Sequence, residues 1–206
     1  MSDEELAAMM MALQGQGCHN INFVSPSHVV PQILKALEIA VPMGLSVPLV
    51  FNSGGYDLPE TLELLEEVVD IYMPDFKFWD AGLAERACRA ADYPQVAQAA
   101  LREMHRQVGD LALDEGGLAR RGLLVRHLVL PRGLAGTRLV MRFIAAEISR
   151  DTYVNVMSQY RPCGKANEVE GLQDRLTPAE YHAAVREALD EGVHRLDNPR
   201  RPVRPH

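Results

Sequence analysis

Apolar positions along the chain switch repeatedly between a period near 3.6 residues and short unbroken runs, the pattern of helices alternating with buried strands. Residues 2–16 carry Leu6, Met9, Met10 and Leu13 at helical spacing, an acidic first turn and a stop at Gly17, and predict a helix. Residues 21–24 read as a short buried strand, and 30–40 as a helix that ends before Pro42 and Gly44. The alternation continues with a strand over 47–51, a helix over 61–69, a strand over 71–73 and a long helix over 93–108 that closes before Gly109. Residues 111–121, with Asp-Glu-Gly-Gly in their middle, read as a hairpin. A strand over 123–130, a helix over 137–147 and a strand over 152–157 follow. The last helix covers 177–191, with Thr177 as cap, Pro178 at the first helical position and Glu180 completing a capping box.

Strands alternating with helices at this spacing imply an α/β fold with a parallel sheet and right-handed crossovers, either doubly wound or part of a barrel. Two features favour a barrel. Polar groups fall at the end of nearly every strand rather than at one switch point: Ser25 to His28, Asn52 and Ser53, Asp75 and Lys77, Arg126 or His127, and Gln159 to Arg161. In the last strand Tyr153, Asn155, Met157 and Gln159 share one face, which suits a wide lumen that holds a ligand. Because the chain opens on a helix, one strand and its following loop are expected to be missing from the front.

Composition narrows the function classes. A chain of 206 residues with 47% hydrophobic and 24% charged residues suits one globular domain, here 1–197. No apolar run is long enough to predict a membrane span, and no secretory signal is visible, so a cytoplasmic location is expected. A net charge of -7 argues against general nucleic-acid binding, which needs a basic surface. Residues 198–206, with Arg200, Arg201 and Arg204 among prolines, read as a disordered tail.

Candidate chemistry begins in the run Val69 to Asp80. Side chains in a strand alternate faces, so Asp75 and Lys77 point the same way from a strand anchored by apolar residues. In a parallel α/β sheet the carboxyl end of a strand is where ligands bind. Arg126, between Val125 and Leu128 in an apolar strand, needs a partner for its charge. His127 faces the other way and reads as a satisfied histidine against a helix. Trp79 and Phe78 read as packing residues or as a surface on which a base stacks.

Five segments carry a family resemblance: Gln16-Gly-Cys-His-Asn-Ile-Asn-Phe-Val-Ser-Pro-Ser-His, Val50-Phe-Asn-Ser-Gly-Gly-Tyr, Asp70-Ile-Tyr-Met-Pro-Asp-Phe-Lys-Phe-Trp-Asp, Arg121-Gly-Leu-Leu-Val-Arg-His-Leu-Val-Leu-Pro and Tyr153-Val-Asn-Val-Met-Ser-Gln-Tyr-Arg-Pro. In order and spacing the chain resembles the radical SAM superfamily, and within it the uncharacterised homologues of the pyruvate formate-lyase activating enzyme. The resemblance implies a partial (β/α)6 TIM-like barrel that lacks its first strand and cluster loop. It implies binding of S-adenosylmethionine and, in the full-length protein, of a [4Fe-4S] cluster, with a 5′-deoxyadenosyl radical as the product of their reaction. It also implies a protein substrate of glycyl-radical type and a reductant such as flavodoxin or ferredoxin.

The resemblance transfers to single positions. Asp75 and Lys77 match an Asp-x-Lys at the corresponding strand, where a lysine pairs with the methionine carboxylate and the acid receives ribose hydroxyls or holds the lysine. Ser25 and Ser27 occupy the turn that in the family meets the methionine amino group. Asn52 and Ser53 resemble a Thr-Asn-Gly turn, and Arg161 stands where the family has a histidine near the adenosine.

The family's cluster ligands form a Cys-x3-Cys-x2-Cys loop, whereas Cys18, Cys88 and Cys163 are far apart and read as free thiols. The chain is therefore expected to be N-terminally truncated. Two other readings stand beside an enzyme: a cluster-less fragment or half of a split enzyme, and a zinc-dependent barrel hydrolase using His19, His28, His127 and Asp75.

Overall fold

The computed structural model of the chain describes residues 1–197; the tail expected at 198–206 lies outside the described residues. The architecture is mixed α/β with a predominantly parallel sheet. Residues divide into two compact units, one formed by 1–74 and 96–123, the other by 75–95 and 124–197.

In the first unit β1 (Ile21–Val24), β2 (Leu49–Asn52) and β3 (Ile71–Tyr72) pair in parallel, each beside the strand before it. The ladder then continues onto the start of β5 (Ala119–Leu128), with Ile71 opposite Gly122. The expected hairpin forms from β4 (Ala112–Leu113), which runs antiparallel to β5. Its turn is closed by Asp114, whose Oδ1 accepts from the backbone N–H groups of Gly116 and Leu118. Gly122 is required where it stands: its φ is +122°, and a Cβ there would lie 2.4 Å from the Asp110 carbonyl oxygen.

Helices α1 (Asp3–Gly15) and α2 (Val30–Ala40) bury Ala7, Met10, Ile33, Ala36 and Leu37 against Ile21 and Leu49. The inward stripe of α1 differs from the expected one: Ala7 and Met10 are buried, while Met9 and Leu13 are 53% and 39% exposed. Small Ala7 shares the core cluster with Ile33, Ala36, Leu37 and Ala40 of α2. The helix expected over 61–69 is α3 (Pro59–Glu63), which Pro59 starts two residues earlier and which gives way to turns over 64–68.

In the second unit the remainder of β5 pairs in parallel with β6 (Tyr153–Met157), Arg126 opposite Asn155. Val125, His127, Val154 and Val156 are buried, whereas Arg126, Tyr153, Asn155 and Met157 are half-buried, so one face of this pair is dry and the other partly open. Gln159 lies exposed beyond the strand.

The sequence pattern gave no sign of α4 (Ala81–Cys88), which is short and holds a glycine, but Asp80 caps it by accepting from Leu83 N at 2.6 Å. Then α5 (Tyr93–Val108) begins in this unit and ends in the first. Beyond it, α6 (Thr137–Phe143) runs into a π-helical turn over Ile144–Ile148. Arg138 and Arg142 of α6 clamp Glu191 at the end of α7 (Pro178–Asp190), which starts with the expected Thr177–Glu180 capping box.

Candidate functional site

Residues 72–79 alternate in burial: Phe76 and Phe78 are buried, while Met73, Asp75, Lys77 and Trp79 are half-buried. The apolar residues pull one edge of the segment into the core, which fixes the polar edge outside it. Backbone contacts hold the segment beside β5, with Phe76 N donating to the Arg126 carbonyl at 2.8 Å and Asp75 bridging in register to Arg126. Asp75, Arg126 and Asn155 therefore stand in one row across three neighbouring segments.

Asp75 is bracketed by two cations. Lys77 Nζ donates to its Oδ2 at 2.5 Å, and Arg126 Nη2 lies 2.7 Å from its Oδ1. The Asp75 and Arg126 side chains are only 18% and 27% exposed, so this is a half-desolvated cluster rather than a surface ion pair. Two cations thus share this one carboxylate. The Arg126 contact is also off the hydrogen-bonding direction: Asp75 Oδ1 and Arg126 Nε are both buried without a hydrogen-bond partner. An orphaned donor on a charged group costs about 1–3 kcal/mol, which an acceptor from outside the chain recovers. The arrangement can receive an anion.

Tyr93, marked by the sequence only as the start of a helix, sets this geometry. Its buried hydroxyl accepts from Lys77 N at 2.9 Å and donates to the Asp75 carbonyl at 3.1 Å, splinting the backbone between the two charged residues. No local pattern marks it, since it lies 16 residues beyond Lys77.

Its ring joins an aromatic cluster with Phe76 and Phe78, and Phe76 also stacks on Trp79 at 6.1 Å. Phe78 and Trp79 thus pack against other rings of the unit, Trp79 half-buried and Phe78 with one side on a cavity.

His127 is fully buried, its Nδ1 2.8 Å from the Phe76 carbonyl and its Nε2 2.9 Å from Thr137 Oγ1. A carbonyl only accepts, so Nδ1 carries the proton and Nε2 accepts from the threonine hydroxyl. Burial lowers the imidazole pKa to about 4. Both ring nitrogens are thus committed to the core, which removes His127 from the zinc ligand set considered above.

The first unit holds the other strand-end candidates. Ser25, left-handed at φ 54°, donates its N–H to the Asn52 carbonyl at 2.8 Å, tying the ends of β1 and β2 together. Ser27 Oγ and Ser53 Oγ both donate to buried Asp57, at 2.5 and 2.6 Å, and Gly55 N donates to Ser53 Oγ at 3.1 Å. Asp57 was not singled out from sequence; its signal is an acid shortly after a Ser-Gly-Gly turn. Arg161 is exposed in the loop after β6, and no contact with Asp75, Lys77 or Arg126 is described for it.

Comparison with known proteins adds to this picture. No family model matches the chain. The chain is 32% identical over 167 residues to an uncharacterised protein of Methanocaldococcus jannaschii, a match covering 81% of this chain and 45% of that protein. The chain thus spans less than half the length of that relative. Among solved structures it is similar to a domain of a pyruvate-formate lyase-activating enzyme from Bacteroides vulgatus, with a TM-score of 0.58 and 10% identity, over 87% of this chain and 98% of that one. At that identity the likeness is one of fold.

The residues present do not fit an iron–sulfur cluster. Cys18 is half-buried in the first unit, while Cys88 and Cys163 are exposed in the second. Cys88 Sγ contacts the Ala84 carbonyl at 3.0 Å on its own helix. Among the described residues no group of three or more His, Cys, Asp or Glu side chains can hold a metal ion. The Asp75, Lys77 and Arg126 cluster, by contrast, holds two cations on one carboxylate and a buried guanidinium donor without a hydrogen-bond partner, the kind of group that meets the carboxylate of an amino-acid ligand.

Proposed function

We propose that this chain is part of a radical SAM-type protein and binds S-adenosylmethionine on a partial barrel, with Asp75, Lys77 and Arg126 as the principal contacts. The observation that carries this reading is the buried, unpartnered Arg126 Nε beside a carboxylate already shared by two cations. The fold likeness to a domain of a pyruvate-formate lyase-activating enzyme supports it, as does the pairing of strands in chain order within each unit, the order a barrel uses.

In this reading Lys77 and Arg126 receive the ligand carboxylate, a charge-assisted interaction in a half-desolvated setting. Asp75 keeps both cations in place and accepts from ligand hydroxyls or from the ammonium group. Tyr93 positions the pair through its backbone hydrogen bonds. Asn52, Ser25 and Arg161 stay as further ligand contacts by position, while Ser27 and Ser53 act through Asp57 by shaping the loops after β1 and β2. Bound S-adenosylmethionine supplies a sulfonium centre as a source of its adenosyl group. Reductive chemistry, a [4Fe-4S] cluster, a flavodoxin- or ferredoxin-type reductant and a glycyl-radical protein substrate belong to a longer protein, because the three thiols here do not supply cluster ligands.

The test is calorimetric titration of the purified chain with S-adenosylmethionine. Saturable binding, weakened about tenfold or more by Lys77→Ala and by Arg126→Ala, supports the reading. Absence of binding, or affinity unchanged in both variants, removes it.

A further inference from the structure

The second unit holds a cavity outside the Asp75 cluster. It has a volume of about 490 Å3, within the range that takes a small organic ligand. Its mouth carries Arg86 and Arg89 from the end of α4 and Lys165 from the loop after β6, with Glu168 as the one acid. Lys165 reaches Glu168 only at 3.9 Å, and no salt bridge of Arg86 or Arg89 is described among the described residues. The mouth therefore keeps an excess of two positive charges in a chain whose net charge is -7.

Its floor is apolar. Phe78, Tyr160 and Leu172 line this cavity and also a second one of about 180 Å3, whose remaining lining is Leu128, Leu130 and Lys77. Tyr160 is pinned by its hydroxyl, which donates to the Leu172 carbonyl at 2.5 Å, so its ring forms a fixed wall. A cationic rim over an aromatic and aliphatic floor selects a ligand with both parts.

We infer that this cavity binds a small organic anion, a carboxylate or a phosphate ester carried on an apolar or aromatic body, with Arg86, Arg89 and Lys165 holding the anionic group and Phe78, Tyr160 and Leu172 enclosing the body. The inference goes beyond S-adenosylmethionine binding and does not rest on it, because none of these residues belongs to the Asp75 cluster. Arginine's planar fork takes carboxylate and phosphate alike, so the rim by itself accepts either group.

The experiment is calorimetric titration of the chain with phenyl phosphate and, separately, phenylacetate. Neither probe has an adenosine or a sulfonium, so their binding stands or falls apart from the reading of the Asp75 site. Saturable binding of either probe, lowered at least tenfold in the Arg86→Ala/Arg89→Ala double variant, is the expected result, and the tighter probe identifies the anionic group. Both arginines are exposed, so the double variant keeps the wild-type melting temperature. Leu172→Trp, which fills the floor, is expected to abolish binding while leaving the rim intact. No saturable binding of either probe, or binding unaffected by the double variant, overturns the inference.

Discussion

Arg126 Nη2 lies 2.7 Å from Asp75 Oδ1, yet the same guanidinium's Nε is buried without a partner, so the pair is close in charge and incomplete in hydrogen bonding. A pair with only a structural role is expected to settle into fork geometry with both contacts made. Arg126→Lys keeps the charge but removes the fork. It is expected to weaken S-adenosylmethionine binding several-fold while shifting the midpoint of chemical unfolding little; equal affinity in calorimetry would show that the orphaned donor has no ligand.

Tyr93→Phe removes one hydroxyl that both accepts from Lys77 N and donates to the Asp75 carbonyl. Losing both hydrogen bonds is expected to cost about 1–3 kcal/mol in urea unfolding. If the hydroxyl positions the Asp75–Lys77 segment, ligand affinity falls with stability; a loss of stability alone would restrict Tyr93 to packing.

His127 makes stability depend on acid. Its folded pKa is about 4, below the ordinary imidazole value of 6.5, so the unfolded chain binds the proton more readily. The contribution is full above pH 6.5 and is lost as pH falls from there through about 4, amounting to roughly 3 kcal/mol at its limit. Urea unfolding of wild type and His127→Gln at pH 7 and pH 4.5 checks this: the wild type is expected to lose more of its stability than the variant over that interval.

Glu191 acts at lower pH. Hydrogen bonds from Arg142 and Arg138 pull its carboxyl down to about 2. A carboxyl depressed in the folded state stabilises above its ordinary range, and that contribution disappears as pH drops from about 4.5 through about 2. Glu191→Gln is expected to lower the melting temperature at neutral pH and low salt, and to converge with wild type near pH 2 or at molar salt.

Much of the fold was legible because its local signals agree with its packing. Thr177, Pro178 and Glu180 announce α7 as they cap it, and Asp114 with Gly116 announces the hairpin turn. Where local and tertiary demands diverge, the sequence misleads. Met9 and Leu13 fit a helical stripe but are displaced from the core by Ala7, and α4 is hidden by its length and Gly82. At the site, the shared face of Asp75 and Lys77 followed from strand alternation, and the need of Arg126 for a partner followed from its apolar surroundings. Tyr93 and Asp57 were not legible, because each works through contacts made only when distant segments meet.

The most direct test of the central claim compares S-adenosylmethionine with its decarboxylated analogue in calorimetric titrations of wild type and Lys77→Ala. The account predicts that wild type prefers the carboxylate form by about tenfold or more and that Lys77→Ala loses most of that preference. Equal affinity of wild type for the two compounds would contradict it.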